Sequence, residues 1–264
     1  MTAGAPERGQ DAVELAALLA LTADRAGAGG TDGAGGPVRT VRYGARPDQL
    51  VELHGPGDPA VVLLHGGFWR AAVDRSYLAP LARALAARGV PVAVPEYRRV
   101  GAGGGWPATY HDIAAGLAAL PGDRPVLLVG HSAGGQLALC AADQPRVGAV
   151  LGVAAVSDLA LAGELDLGRG AVPAFLDADA DADADGPAGP VPEPDPALRP
   201  RPPVPVTLLH GTADGQVPAE LSRRYAERHG AALELLPGVG HYAPFVPATA
   251  AGARLLSRLA GHPR

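Results

Sequence analysis

The residues best suited to chemistry are Gly130-His131-Ser132-Ala133-Gly134, inside the stretch LLVGHSAGGQLALC at 127–140. An apolar run stops at a glycine, a serine sits between small neighbours, and a helical pattern begins at once. The G-x-S-x-G spacing suits a sharp strand-to-helix corner, because the strained backbone at its centre tolerates only small flanking residues. Such a corner presents the serine hydroxyl at the edge of a sheet. The helix behind it directs backbone N–H groups at developing negative charge. A tight glycine turn carrying an incidental serine is the competing explanation, and the rest of the chain must decide.

A serine hydroxyl is a weak nucleophile until a base takes its proton. The chain has eight histidines. His65 and His210 belong to LLHG sequences at strand ends and are read as organising their own loops. His131 is within the corner itself, His111 and His229 lie in helical patterns, His54 reads as part of a surface turn, and His262 is terminal. His241, in GVGHYAP, occupies a glycine-flanked loop between the last strand and the last helix, and is the candidate base. The base needs an acid to fix its tautomer and stabilise its charged form. Asp214, in LLHGTADGQVP, follows a strand directly and precedes His241 by enough residues for one helix and one strand; Asp158 is the competing acid. A further candidate component is HGGFWR at 65–70. Glycines there let bare N–H groups approach a substrate oxygen, and Gly67, Phe68 and Ala133 are the candidate oxyanion donors. Trp69, Trp106 and Tyr242, with Phe175 from the far side, could line a substrate pocket, although core packing would explain each equally well.

These residues need a scaffold that gathers them. VRTVRYG and QLVELHG alternate and read as a hairpin or two adjacent strands. AVVLLHGG, VPVAVPEY, RPVLLVG, VGAVLGVAAV, VPVTLLHG and ALELLPG read as further strands. Helical patterns fall between them and after the last: Leu78, Leu81 and Leu85, then Ile113, Leu117 and Leu120, later Leu221 and Tyr225, and finally TAAGARLLSRLAG. Alternating strands and helices imply a mostly parallel sheet covered on both faces. Ligands bind such sheets at the carboxyl ends of the strands. His65, Glu96, Ser132, Asp158, Asp214 and His241 all fall at or near those ends.

Residues 160–203 break the pattern and are expected to form a short, irregular, partly disordered lid or insertion. Alternating Asp and Ala at 177–185 repel one another and bury little. Asp181, Asp183, Asp185 and Gly186 match the start of a calcium-binding loop, but its twelfth position is Pro192 rather than Glu, so no metal is expected. Residues 1–36 are read as a leading amphipathic helix and a glycine-rich linker, with the catalytic domain at 37–264. Acidic residues interrupt the leading apolar run, no basic cluster precedes it, and it is too short to span a bilayer, so a cytoplasmic protein is expected. The net charge of −5, with all 22 basic side chains arginine, gives no reason to expect nucleic acid or an acidic membrane as partner. The single cysteine, Cys140, excludes an internal disulfide and reads as a small buried hydrophobe. No cofactor is implied, and the oligomeric state stays open.

Taken together, the motifs resemble the α/β-hydrolases. The chain order Ser132, Asp214, His241 is that family's order. HGGFW, YGARPDQLVELHGP, PEYRRVG and GWPATYHDI are similar to the HGGxW branch, which includes kynurenine formamidases and small carboxylesterases. The likeness spans roughly residues 40–260 and leaves out the leading helix and the Asp/Ala tract. It implies the α/β-hydrolase fold and a metal-free serine hydrolase acting on small esters or aryl formamides through an acyl-enzyme. Prolyl-oligopeptidase-type peptidases share the corner and the order but add a propeller-sized N-terminal region, for which residues 1–36 have no room. A catalytically silent binding module on the same fold would be expected to have lost one of the three residues.

Overall fold

The structure is a computed structural model and describes residues 5–26, 38–178 and 191–262. The glycine-rich linker, most of the Asp/Ala tract and the four residues of the calcium-loop match lie outside the described residues.

Eight strands form one sheet: β1 (Arg39–Arg42), β2 (Leu50–His54), β3 (Val61–Leu64), β4 (Val92–Pro95), β5 (Val126–His131), β6 (Val147–Val153), β7 (Val206–Gly211) and β8 (Ala232–Leu236). Their spatial order is β1-β2-β4-β3-β5-β6-β7-β8. The expected hairpin is the antiparallel pair β1–β2, and β2 also runs antiparallel to β4; all the remaining pairs are parallel. Eight α-helices accompany the sheet among the described residues: α1 (Ala5–Ala26), α2 (Ala79–Ala86), α3 (Ala108–Ala118), α4 (Ala133–Cys140), α5 (Leu159–Glu164), α6 (Ala171–Leu176), α7 (Glu220–His229) and α8 (Ala250–Ala260).

The central strands read as unbroken apolar runs because both faces of the sheet are covered. Side chains alternate across a strand, so β3 sends Val62 and Leu64 into one core and Val61 and Leu63 into the other. The first core takes Ile113 and Leu117 of α3, Leu137 of α4, and Leu221 and Tyr225 of α7. The second takes Leu81 and Leu85 of α2, Leu255 and Leu259 of α8, and also Leu18 of α1, which is fully buried. The leading helix is thus docked on the body. This layout throws the loops after β3, β5, β7 and β8 to one edge of the sheet.

Two expectations are corrected. The first half of the irregular segment, 160–176, is largely helical. Asp158 caps α5 by accepting from Leu161 N, and Ala162, Val172 and Phe175 of α5 and α6 are buried. The pattern is hard to read because each helix has only six residues and glycines lie between them. His54 is not in a surface turn. It ends β2, where it pairs with Val92 of β4, and is only 3% exposed.

Candidate active site

The corner after β5 takes the form that the glycine spacing demands. Ser132 has φ 56° and ψ −120°, a left-handed conformation that is costly for a residue with a side chain. Its N–H donates to Val153 O at 3.0 Å, and its carbonyl accepts from Gly135 N and Val156 N. These bonds, with the buried run of β5 and α4, hold the strained residue between strand and helix. A side chain at Gly134 would strike the carbonyl oxygens of Leu64 and His65, so only glycine lets the β3 loop pass this close.

That loop takes positive φ over three consecutive residues, Gly67 (φ 103°), Phe68 (φ 50°) and Trp69 (φ 57°), which glycine tolerates and the other two adopt under strain. Its carbonyls are tied down, Gly67 O by Arg70 N and Trp69 O by Val100 N. Among the described residues, no hydrogen bond engages the N–H groups of Gly67, Phe68 or Ala133. A buried network braces the loop from below. His65 stacks on Tyr97, with ring centroids 4.1 Å apart, and its Nε2 lies 2.9 Å from Glu96 Oε1. Burial alone would raise the Glu96 carboxyl. The His65 hydrogen bond and the charges of His65 and Arg99 outweigh it and bring the pKa down to about 2.

His241 and Asp214 meet across the neighbouring loops. Nδ1 of His241 lies 2.7 Å from Asp214 Oδ2, and both side chains are almost fully buried. The other carboxylate oxygen, Oδ1, accepts from Gln216 N at 2.9 Å and Val217 N at 2.8 Å. His210 approaches from below, its Nε2 3.4 Å from Asp214 Oδ2 and 2.8 Å from Val217 O. Burial disfavours the Asp214 charge, but the two imidazoles and their hydrogen bonds hold the carboxyl well below the usual range. Asp158 is committed elsewhere: it caps α5 and pairs with Arg224 at 3.3 Å.

His131, just before the serine, links the corner to the base. Burial first, and then the neighbouring His241, lower its pKa well below the ordinary histidine value, so its ring is neutral. Its Nε2 faces His241 O at 3.1 Å, which only accepts, so that nitrogen carries the proton. Its Nδ1 then accepts from the Tyr77 hydroxyl at 2.8 Å, and Tyr77 in turn accepts from Gly66 N at 2.6 Å. One chain of hydrogen bonds therefore joins the β3 loop, the corner and the base.

Ser132 and His241 open on a single cavity of about 400 Å³, whose walls include Gly67, Phe68, Tyr77, Tyr242, Leu15 and Leu19. Residues 61–254 match the alpha/beta hydrolase family. The chain belongs to that family.

Solved structures of similar fold include the thermophilic carboxylesterase EstE1 from a metagenomic library (TM-score 0.68, 19% identity, covering 98% of this chain and 96% of that one). Esterase B of Lactobacillus rhamnosis, bearing a C6-C4 SN3 inhibitor, superposes with a TM-score of 0.66 at 20% identity, covering 94% of each chain. A bacterial heroin esterase does so with a TM-score of 0.66 at 19% identity, covering 97% of this chain and 90% of that one. No curated protein sequence matches the chain.

For this alpha/beta hydrolase the structure brings together Ser132, Asp214, His241, Gly67, Phe68, Ala133 and Tyr242 at one sheet edge. Trp69 and Trp106 do not line the cavity. Trp69 is fully buried, stacks on Phe175 at 4.3 Å and donates from Nε1 to Gln136 Oε1. Trp106 meets Phe175 edge to face and donates to Pro192 O. The two indoles and Phe175 form a packed cluster, with Trp69 tying the β3 loop to it. Burial pushes the Cys140 thiol up to about 12, which suits a packing role. Among the described residues, no three His, Cys, Asp or Glu side chains converge as a metal site, and no helix is long and apolar enough to cross a membrane. The sequence reading missed Tyr77, the bridging role of His131, and Asp11, Glu14, Leu15 and Leu19 of α1. Only the serine-adjacent position of His131 offered a signal, since the others lie far away in the chain.

Proposed function

We propose that this alpha/beta hydrolase is a metal-free serine hydrolase that cleaves small carboxylic esters, with aryl formamides as the second substrate class suggested by the HGGFW motif. One observation carries the reading. A strained serine opens on the same cavity as a histidine whose far nitrogen is held at 2.7 Å by a buried, ionised aspartate.

In this mechanism Ser132 Oγ attacks the substrate carbonyl carbon while His241 Nε2 takes its proton. Asp214 holds the ring's tautomer and stabilises the imidazolium. N–H groups of Gly67, Phe68 and Ala133 receive the negative charge that develops on the carbonyl oxygen, and they need little reorganisation because strain and packing already fix the loop. Collapse breaks the bond to the alcohol or amine, which leaves with the proton from His241. Water then adds to the acyl-serine, gives a proton to His241, and the acid departs as Ser132 recovers its own. A largely apolar cavity of about 400 Å³ suits a compact acyl or aryl group rather than a polymer.

Parallel turnover measurements on p-nitrophenyl acetate and N-formylkynurenine test the substrate class. We expect hydrolysis of the ester. Ser132→Ala and His241→Ala should each reduce turnover by roughly 10⁴-fold or more, and the double variant should be little worse, because the two side chains act as one proton-transfer unit. Multiplying losses would count against the assignment.

A further inference from the structure

The leading helix, which the mechanism above does not use, is bound to both loops that carry the proposed base and acid. Asp11 and Glu14 lie one helical turn apart and face the same way. Asp11 Oδ1 accepts from His241 N at 2.8 Å, and Oδ2 accepts from Gly215 N, the residue after Asp214, at 3.0 Å. Glu14 Oε1 accepts from Gly240 N at 3.1 Å, while Oε2 accepts from Tyr242 N at 3.0 Å and Ala243 N at 2.9 Å. Gln10 adds a bond to Gly238 O at 2.8 Å. The His241 loop is irregular, and its inward-facing N–H groups must find acceptors. Two carboxylates from more than 200 residues away in the chain supply them.

The position of Asp11 is unfavourable on its own account. It is buried (2% exposed) and, among the described residues, forms no ion pair. Burial raises its carboxyl above the ordinary value, and the nearby Asp214 charge adds to that rise against the lowering effect of the His241 N–H. The Asp11 charge also sits beside the imidazole that becomes positive during the reaction. Leu18 anchors the helix in the core.

We propose that Asp11 and Glu14 are positioning residues for the hydrolase reaction, with Asp11 fixing the His241 loop against the Asp214 loop and Glu14 holding the His241 loop along its length. The proposal rests on the serine-hydrolase reading. It separates from simple helix docking because neither carboxylate lines the cavity, so substrate affinity should be spared while the chemical step suffers.

The test uses full-length chains carrying Asp11→Asn, Asp11→Ala, Glu14→Gln and the Asp11→Asn/Glu14→Gln pair. Activity on p-nitrophenyl acetate is normalised to sites titrated by a fluorophosphonate, so misfolded chains do not count. Asn retains one of the two acceptors, so kcat should fall in steps. We expect about 10-fold for Asp11→Asn, and more for Asp11→Ala and for the pair, with KM within about 2-fold throughout. The melting temperature of Asp11→Asn should stay close to that of the parent. An unchanged kcat per titrated site overturns the proposal. So does a loss of kcat that occurs only where melting temperature falls with it and that Asn does not partly rescue. If the pair does not fold, the single variants decide. A parent chain that neither labels nor turns over would remove the serine-hydrolase reading and the clamp with it, whereas an active parent with unaltered variants removes the clamp alone.

Discussion

Asp214 and Asp11 are both buried aspartates bonded to His241, one to its ring and the other to its backbone N–H. Their chemistry diverges because their other neighbours differ. Asp214 faces two imidazoles, and their attraction outweighs burial and lowers its pKa. Among the described residues Asp11 accepts only backbone N–H groups, with Asp214 nearby, and burial prevails over the His241 N–H and charge, raising its pKa. The first carboxylate is stabilised by the group it serves. The second orders the backbone around that group at a cost to its own charged form. A site can therefore shift two acids of one type in opposite directions, provided that one faces imidazoles and the other is held by backbone dipoles.

The largest effect that could break this comparison is at Asp214. Asp214→Asn should lower kcat by roughly 10³ to 10⁴-fold, since the imidazole then rests in the wrong tautomer. Asp158→Asn should leave kcat near the parental value and change stability little, because Asn caps α5 about as well as Asp and only the pair with the half-exposed Arg224 is lost. If Asp158→Asn were the more damaging to kcat in folded protein, the acid would be misassigned. The Asp11 variants should fall well below Asp214→Asn in effect, because they loosen a loop rather than remove a charge partner.

The smallest effect is the pH dependence of stability, where the two aspartates should show opposite signs. Asp214 has a depressed folded pKa, so it contributes stability that is fully present above about pH 4 and is lost as pH falls through the folded value. Asp11 has a raised folded pKa, so its ionised form costs stability above that value, and the cost is relieved as pH falls through it. Thermal melts of the parent, Asp214→Asn and Asp11→Asn should be compared from pH 7 downward. The parent's advantage over Asp214→Asn should shrink below about pH 4, whereas the balance against Asp11→Asn should move in the parent's favour. Shifts of a few degrees are expected, since about 1 kcal/mol moves Tm by roughly 2–4 °C at this size. Slopes of the same sign would show that the two environments are alike.

Much of this arrangement is legible in the sequence. The strands can be recognised because apolar runs end at glycines, and the corner because Ser132 lies between Gly130 and Gly134. His241 and Asp214 follow from their places after strands. What escapes is whatever depends on contact across the chain. Nothing near Asp11 or Glu14 signals that they will accept N–H groups from residues 240–243, because a helix with acids three apart reads as a solvated face. Sequence leaves pocket and core equally open for Trp69 and Trp106, and direction decides: the strained loop turns Trp69 inward onto Phe175. The helices α5 and α6 are too short for periodicity to separate them from loop.

The central claim is that Ser132 is an activated nucleophile, and covalent labelling tests it most directly. The folded parent is treated with a fluorophosphonate, and the adduct is weighed on the intact chain and located by peptide mapping. The account predicts one adduct, on Ser132, forming in step with loss of ester hydrolysis, and none in Ser132→Ala or, at the same exposure, in His241→Ala. A folded parent that takes up no label, or hydrolysis that persists in Ser132→Ala, would contradict it.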